Sequence, residues 1–132
     1  MLIQHEGTER FEQLIVAHHD QAFTRQTSRC FRRLGWQVYS ADTAAEARRL
    51  TQALNAAVLV LDTELPDESG WLACAKLTGE QPDLKVFLVS PRRSAEQARF
   101  ADFVGAAGLI WRYGGLRALA EEVDGALLPA AG

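Results

Sequence analysis

Four stretches place residues able to do chemistry where a short apolar run stops: His18-His19-Asp20, Asp62, Ser90 and Arg112. Two imidazoles and a carboxylate make a ligand set for a transition metal, so His18, His19 and Asp62 form a candidate metal site. Adjacent side chains at a strand end point to opposite sides, which would leave one His to a loop or cap. The expectation is therefore that no metal is held there. Imidazoles also titrate near neutral pH, so the pair offers a pH sensor. Other chemistries lack their residues. The turn after the first run reads HHDQAFT and has no glycine to let backbone amides cradle a phosphate, so neither a Walker loop nor a dinucleotide fingerprint is present. Ser69-Gly70 does not meet the GxSxG pattern of a hydrolase nucleophile, and no enzymatic activity is expected.

The elements that must bring these residues together are legible as alternating strand and helix signals, the pattern of a parallel sheet with crossover helices. Leu14-Ile15-Val16-Ala17 is uniformly apolar, as a strand covered on both faces should be. The helix after it has Phe23, Thr27, Cys30, Phe31 and Leu34 on one face and stops at Gly35. Its other face carries Arg25, Arg29, Arg32 and Arg33, expected to be a solvated outer face, with docking of an acidic partner or nucleic acid as the alternative. Trp36 to Ser40 is a weaker strand. A helix follows, capped by Asp42 or Thr43, with Ala47, Leu50, Thr51 and Leu54 inward and Asn55 at its end. The third strand, Ala57 to Leu61, ends at Asp62; alone, such an Asp would be an ordinary cap or turn residue. The loop Thr63 to Gly70 leads into a helix from Trp71 to about Leu77. Val86 to Val89 is the fourth strand, and Ser94 opens a helix with Ala95 and Ala98 inward. Gly108 to Trp111 is the fifth strand, and the last helix turns Leu116, Leu119, Ala120, Val123 and Leu127 to the core before Pro129. In such a sheet ligands bind beyond the carboxyl ends of the strands, which is where all four polar stretches fall.

Size and charge narrow the function classes. The 132 residues, 48% hydrophobic, suit one domain with a single core. A formal charge of -3 gives no net field toward nucleic acid or an anionic membrane, and direct nucleic-acid binding is not expected. Cys30 and Cys74 are too few for a disulfide framework and have no zinc-finger spacing. Met1 to Arg10 includes Gln4, His5, Glu6 and Glu9, unlike a signal sequence, and no apolar stretch is long enough to span a membrane. A reduced cytoplasmic setting is expected.

The loop beyond the third strand carries a resemblance. In Val60-Leu61-Asp62-Thr63-Glu64-Leu65-Pro66-Asp67-Glu68-Ser69-Gly70, Asp is followed by Pro four residues on and Gly eight residues on. With Ser90 ending the fourth strand and Gly105-Ala106 before the fifth, this resembles the CheY-like receiver domain of bacterial response regulators, from about Glu12 to Leu128. The resemblance implies an α/β, flavodoxin-like (βα)5 fold, preceded by an extension over 1–11 and followed by a tail over 129–132.

It also implies a phosphorylation switch. Asp62 takes the phosphoacceptor position and Ser90 the switch-hydroxyl position. His18 and His19 stand at the acidic pair that holds magnesium in the family, Arg112 at the phosphate-clamping Lys, Tyr113 at the Pro after it, and Leu109 at the switch aromatic. Magnesium prefers hard oxygen ligands, and neutral imidazoles replace carboxylates poorly. The sequence therefore resembles an atypical receiver that acts by protein contact without magnesium-dependent phosphorylation, with no cofactor expected. In this reading Arg112 pairs with Asp62 permanently, a stand-in for the activated state. Leu109 has no ring to swing against Ser90. The alternatives are a conventional phosphoacceptor using magnesium, and a metal- or ligand-sensing module on His18, His19 and Asp62. Implied partners are a histidine kinase, a phosphotransfer protein or an effector. A homodimer through the fourth helix, fifth strand and fifth helix is a further possibility, with Trp111 and Tyr113 as anchors.

Overall fold

A computed structural model describes residues 12–127; the expected extension over 1–11, Pro129 and the tail over 129–132 lie outside the described residues. Five strands form one parallel sheet: β1 (Gln13–Ala17), β2 (Gln37–Ala41), β3 (Val58–Asp62), β4 (Lys85–Ser90) and β5 (Gly108–Trp111). Between them run α1 (Gln21–Arg33), α2 (Ala44–Leu54), α3 (Gly70–Glu80) and α4 (Ala95–Phe103). A 3-10 turn, Arg112–Gly114, joins β5 to α5 (Leu116–Leu127). The strand order β2-β1-β3-β4-β5 reverses direction at β1 and β3, so the crossovers part above those two strand ends.

Strand alternation sends neighbouring apolar residues to opposite faces, and both faces are covered. Ile15, Ala17, Leu59, Leu61, Val86 and Leu88 pack against Ala47 of α2, Ala73, Cys74 and Leu77 of α3, and Ala101 of α4. Leu14, Val16, Val58, Val60, Phe87, Val89 and Ile110 meet Phe31 of α1 and Leu119 and Val123 of α5. The helices begin at side-chain caps: Asp20, Thr43, Ser69 and Ser94 each accept a main-chain N–H from the first turn of α1 to α4. Asn55 ends α2 in the left-handed region, φ 51°.

Two expectations are corrected. Leu34 is the C-cap of α1 and lies exposed, while the buried positions are Thr24, Thr27, Ser28 and Phe31. In α4, Ala95 and Ala98 are exposed and Ala101 is the buried residue; the helix starts after Ser94 as expected, but Gln97 rather than Ala98 turns toward β4, where it bonds Ser90. The 3-10 turn over Arg112–Gly114 fills the interval between β5 and α5 that the sequence pattern leaves unassigned. No helix among the described residues is long and apolar enough to cross a membrane.

Candidate functional site

The pairing of β1 with β3 sets Ala17 opposite Leu61, so His18 and Asp62 leave adjacent strands at the same level. Asp62 is 1% exposed and fully engaged. Its Oδ2 accepts the main-chain N–H of His19 at 2.9 Å and is hydrogen-bonded by Nδ1 of the same residue; its Oδ1 accepts the Glu64 N–H at 2.8 Å. One residue thus holds one carboxylate oxygen through both backbone and side chain.

His18 is buried under that contact. Its ring stacks on His19, with centroids 4.9 Å apart, and on Phe23 at 4.2 Å. Nδ1 accepts the Asp20 N–H at 3.0 Å, which requires the ring proton to sit on Nε2. Burial pushes the His18 pKa down to about 4; Asp62 opposes that shift, and His19 and Arg112 add to it. His18 is therefore neutral at pH 7, and its 3.6 Å approach to Asp62 Oδ2 is not an ion pair. The two imidazoles do not point to opposite sides as a strand end would dictate. The strand stops at Ala17, and the turn into α1 stacks both rings beside Asp62. Ligand atoms of His18, His19 and Asp62 all lie within 4.8 Å of one another.

Arg112 does not pair with Asp62; its guanidinium bonds the Asp20 carboxylate. The reason is one of supply. Both Asp62 oxygens already have N–H donors, whereas Asp20 gives Oδ1 to the Ala22 N–H that it caps, at 2.9 Å, and has Oδ2 to spare. Asp20 was legible as part of HHD but not as the partner of a residue 92 positions away. Arg112 also lies over the Tyr113 ring, 5.5 Å from its centre.

Ser90 is buried at the end of β4, and its hydroxyl is engaged with α4. Oγ donates to Gln97 Oε1 at 2.9 Å and accepts the Arg92 N–H at 3.1 Å. Gln97 was missed from the sequence. The signal was present: Ser94 and Gln97 have capping-box spacing, and Gln97 N–H does bond Ser94 Oγ, but the Gln97 side chain turns to Ser90 instead of back to the cap. Leu109 is half-buried against the α2–α4 side of the core. Trp111 is half-buried too; its indole N–H donates to Pro91 O at 3.3 Å and the Arg93 guanidinium lies 4.8 Å from its ring centre. Tyr113 meets Trp111 edge-on and stays exposed.

An acceptor-position Asp at the switch point of a five-stranded parallel sheet, a hydroxyl ending the next strand and a cation ending the one after define a receiver module. The pattern of the response regulator receiver domain family matches residues 14–124, and the chain belongs to that family. It is 29% identical over 115 residues to the photosynthetic apparatus regulatory protein RegA of Rhodovulum sulfidophilum, covering 87% of this chain and 61% of that relative's length. Many solved structures share the fold, two of which serve as examples. A CheY-like receiver domain protein from Methanospirillum hungatei JF-1 is 23% identical with TM-score 0.81, covering 88% of this chain and 93% of its own. The chemotaxis protein CheY4 of Vibrio cholerae is 16% identical with TM-score 0.82, covering 89% and 100%.

Proposed function

We propose that this receiver domain signals by protein contact, with His19 occupying the Asp62 carboxylate where the family places magnesium and a phosphoryl group. The observation that carries this reading is the double hold of His19 on Asp62 Oδ2, with Oδ1 taken by Glu64 N–H and the carboxylate out of solvent. A phosphodonor must approach a carboxylate oxygen in line, and both oxygens are engaged. The donor set does not fit magnesium. Around Asp62 it offers imidazole nitrogens, and the nearby Asp20 carboxylate is shared between the α1 cap and Arg112. Arg112 is then unavailable to clamp a phosphate as the family's Lys does. His19, not Arg112, becomes the internal substitute for an activating group.

The proposed partner is a protein, a kinase, phosphotransfer protein or effector, met in the cytoplasm without catalysis and without nucleic-acid binding. The proposed contact face is α4, β5 and α5, where Arg92, Arg93, Trp111, Tyr113 and Glu122 line a groove of about 570 Å³. Incubation with acetyl phosphate and magnesium, read by intact mass, is expected to leave the protein unmodified. A phosphoryl adduct that disappears in Asp62→Asn would overturn the reading.

A second reading, a transition-metal sensor, is favoured by the 4.8 Å cluster of His18, His19 and Asp62. It is the weaker one, because His18 Nδ1 already accepts the Asp20 N–H. Saturable zinc binding lost in both His18→Ala and His19→Ala would promote it over the first.

A further inference from the structure

The arginine face of α1 does more than meet solvent. Arg25, Arg29, Arg32 and Arg33 line a groove of about 550 Å³ with Gln21, Thr24, Ser28 and, from β2, Ser40. Its floor is made of hydroxyl residues: Thr24 and Ser28 are buried, and Ser40 closes the β2 side. No carboxylate lines it, although Gln21 at one end donates to Asp42 at 3.3 Å.

The charge in this groove is uncompensated. Five cations elsewhere are matched: Arg48 with Glu80, Arg49 with Glu46, Lys76 with Glu68, Arg112 with Asp20 and Arg117 with Glu121. Lys85, Arg92, Arg93 and Arg99 are not matched among the described residues, but they do not share one helix face as the groove arginines do. Among the described residues none of the four groove arginines has an acidic partner; Arg32 donates instead to the Val38 carbonyl at 2.8 Å, which fixes its guanidinium at the wall. Like charges at helical i, i+4 spacing repel, and here they recur over about 12 Å of one helix. A solvated face needs neither a concave shape nor a hydroxyl floor.

Planar guanidinium groups bind phosphate oxygens through paired hydrogen bonds. Thr24 already donates its hydroxyl to the Asp20 carbonyl at 3.2 Å, so the hydroxyls of Ser28 and Ser40 are the neutral donors that would complete such a site. A volume near 550 Å³ falls within the range of about 300–1,000 Å³ typical of small-ligand pockets. A duplex needs a basic surface longer than the roughly 12 Å of helix that carries these arginines, since its phosphates recur along the whole contact. We infer that the α1–β2 groove binds a small anion carrying two or more linked phosphates, of nucleotide size. This site is separate from Asp62 and does not depend on how that residue is used.

Calorimetric titration of the full chain with pyrophosphate, ATP, inorganic phosphate and a short DNA duplex tests it. Pyrophosphate and ATP should bind saturably and more tightly than inorganic phosphate. Affinity should fall roughly tenfold or more in Arg25→Gln/Arg29→Gln, and stay unchanged in Arg117→Gln. Ser40→Glu, which puts a carboxylate into the groove and leaves every arginine in place, should weaken binding similarly. Thermal melting of each variant checks that it is folded. Absence of saturable oligophosphate binding, equal loss in Arg117→Gln, or binding of the duplex alone would overturn the inference.

Discussion

The substitution His18→Asn isolates the most consequential proton in the molecule. In the folded chain His18 is held neutral, with its pKa pushed down to about 4 from an ordinary value near 6.5. Between those values the unfolded chain binds a proton that the folded chain refuses, so acid draws the equilibrium toward unfolding. The stability tied to this group is complete above about pH 6.5 and is lost as pH falls toward 4. At 1.36 kcal/mol per pKa unit, the separation is worth about 3 kcal/mol. Asn keeps the local hydrogen bond, because its side-chain oxygen can accept the Asp20 N–H in place of Nδ1, but it does not titrate. Losing the ring stack on Phe23 lowers stability by an amount that does not vary with pH. The carboxyls of Glu46 and Asp67, held low by Arg49 and by the Ala44 N–H respectively, titrate alike in both proteins and cancel in the difference. Urea unfolding at steps from pH 7.5 to 4 should show the wild type losing about 3 kcal/mol more than His18→Asn. Equal losses in the two proteins would refute the assignment of a buried, neutral His18.

Gly70→Ala should destabilise the fold by about 3 kcal/mol, because the added Cβ would stand 2.0 Å from the Asp62 carbonyl oxygen and 2.7 Å from Thr63 Cα; urea midpoints measure it. Asp67→Ala removes the acceptor of the Ala44 and Ala45 N–H groups at the start of α2, at 2.8 and 3.1 Å, and should cost about 1 kcal/mol in the same assay. Cys74 is buried and its thiol is pushed up to about 11, so a thiol reagent at pH 8 should label only Cys30 in the native chain and both cysteines after unfolding.

The parts of the fold written in local pattern were legible. AVLVL could only be a strand covered on both faces, and Asp62 marked its end; β5 begins at Gly108 and ends at Trp111 as its apolar run does. Strand order was not local information and came from the resemblance. The site was legible as a set of positions but not as a set of contacts. Which carboxylate Arg112 meets depends on how many N–H donors Asp62 has already taken, and those donors come from His19 and Glu64 backbone geometry that composition does not encode. The inner face of α4 was misjudged for a related reason. Small alanines fit either side of a helix, and the side-chain bond from Ser90 to Gln97 helps to decide which side faces the sheet.

That bond also bears on how firmly α4 is held. The helix has nine residues and one buried side chain, Ala101; Phe103 is largely exposed, and the half-exposed Phe100 packs against the Trp71 ring of α3, with centroids 5.1 Å apart. With one buried side chain, its attachment rests on the Phe100–Trp71 contact, the Ser90–Gln97 bond and the Val104 end. One of these attachments is Ser90, which follows Val89, the register partner of Asp62. Whatever displaces the Gln97 side chain leaves the buried Ser90 hydroxyl to find another acceptor, so the position of this helix and the state of that hydroxyl are tied together.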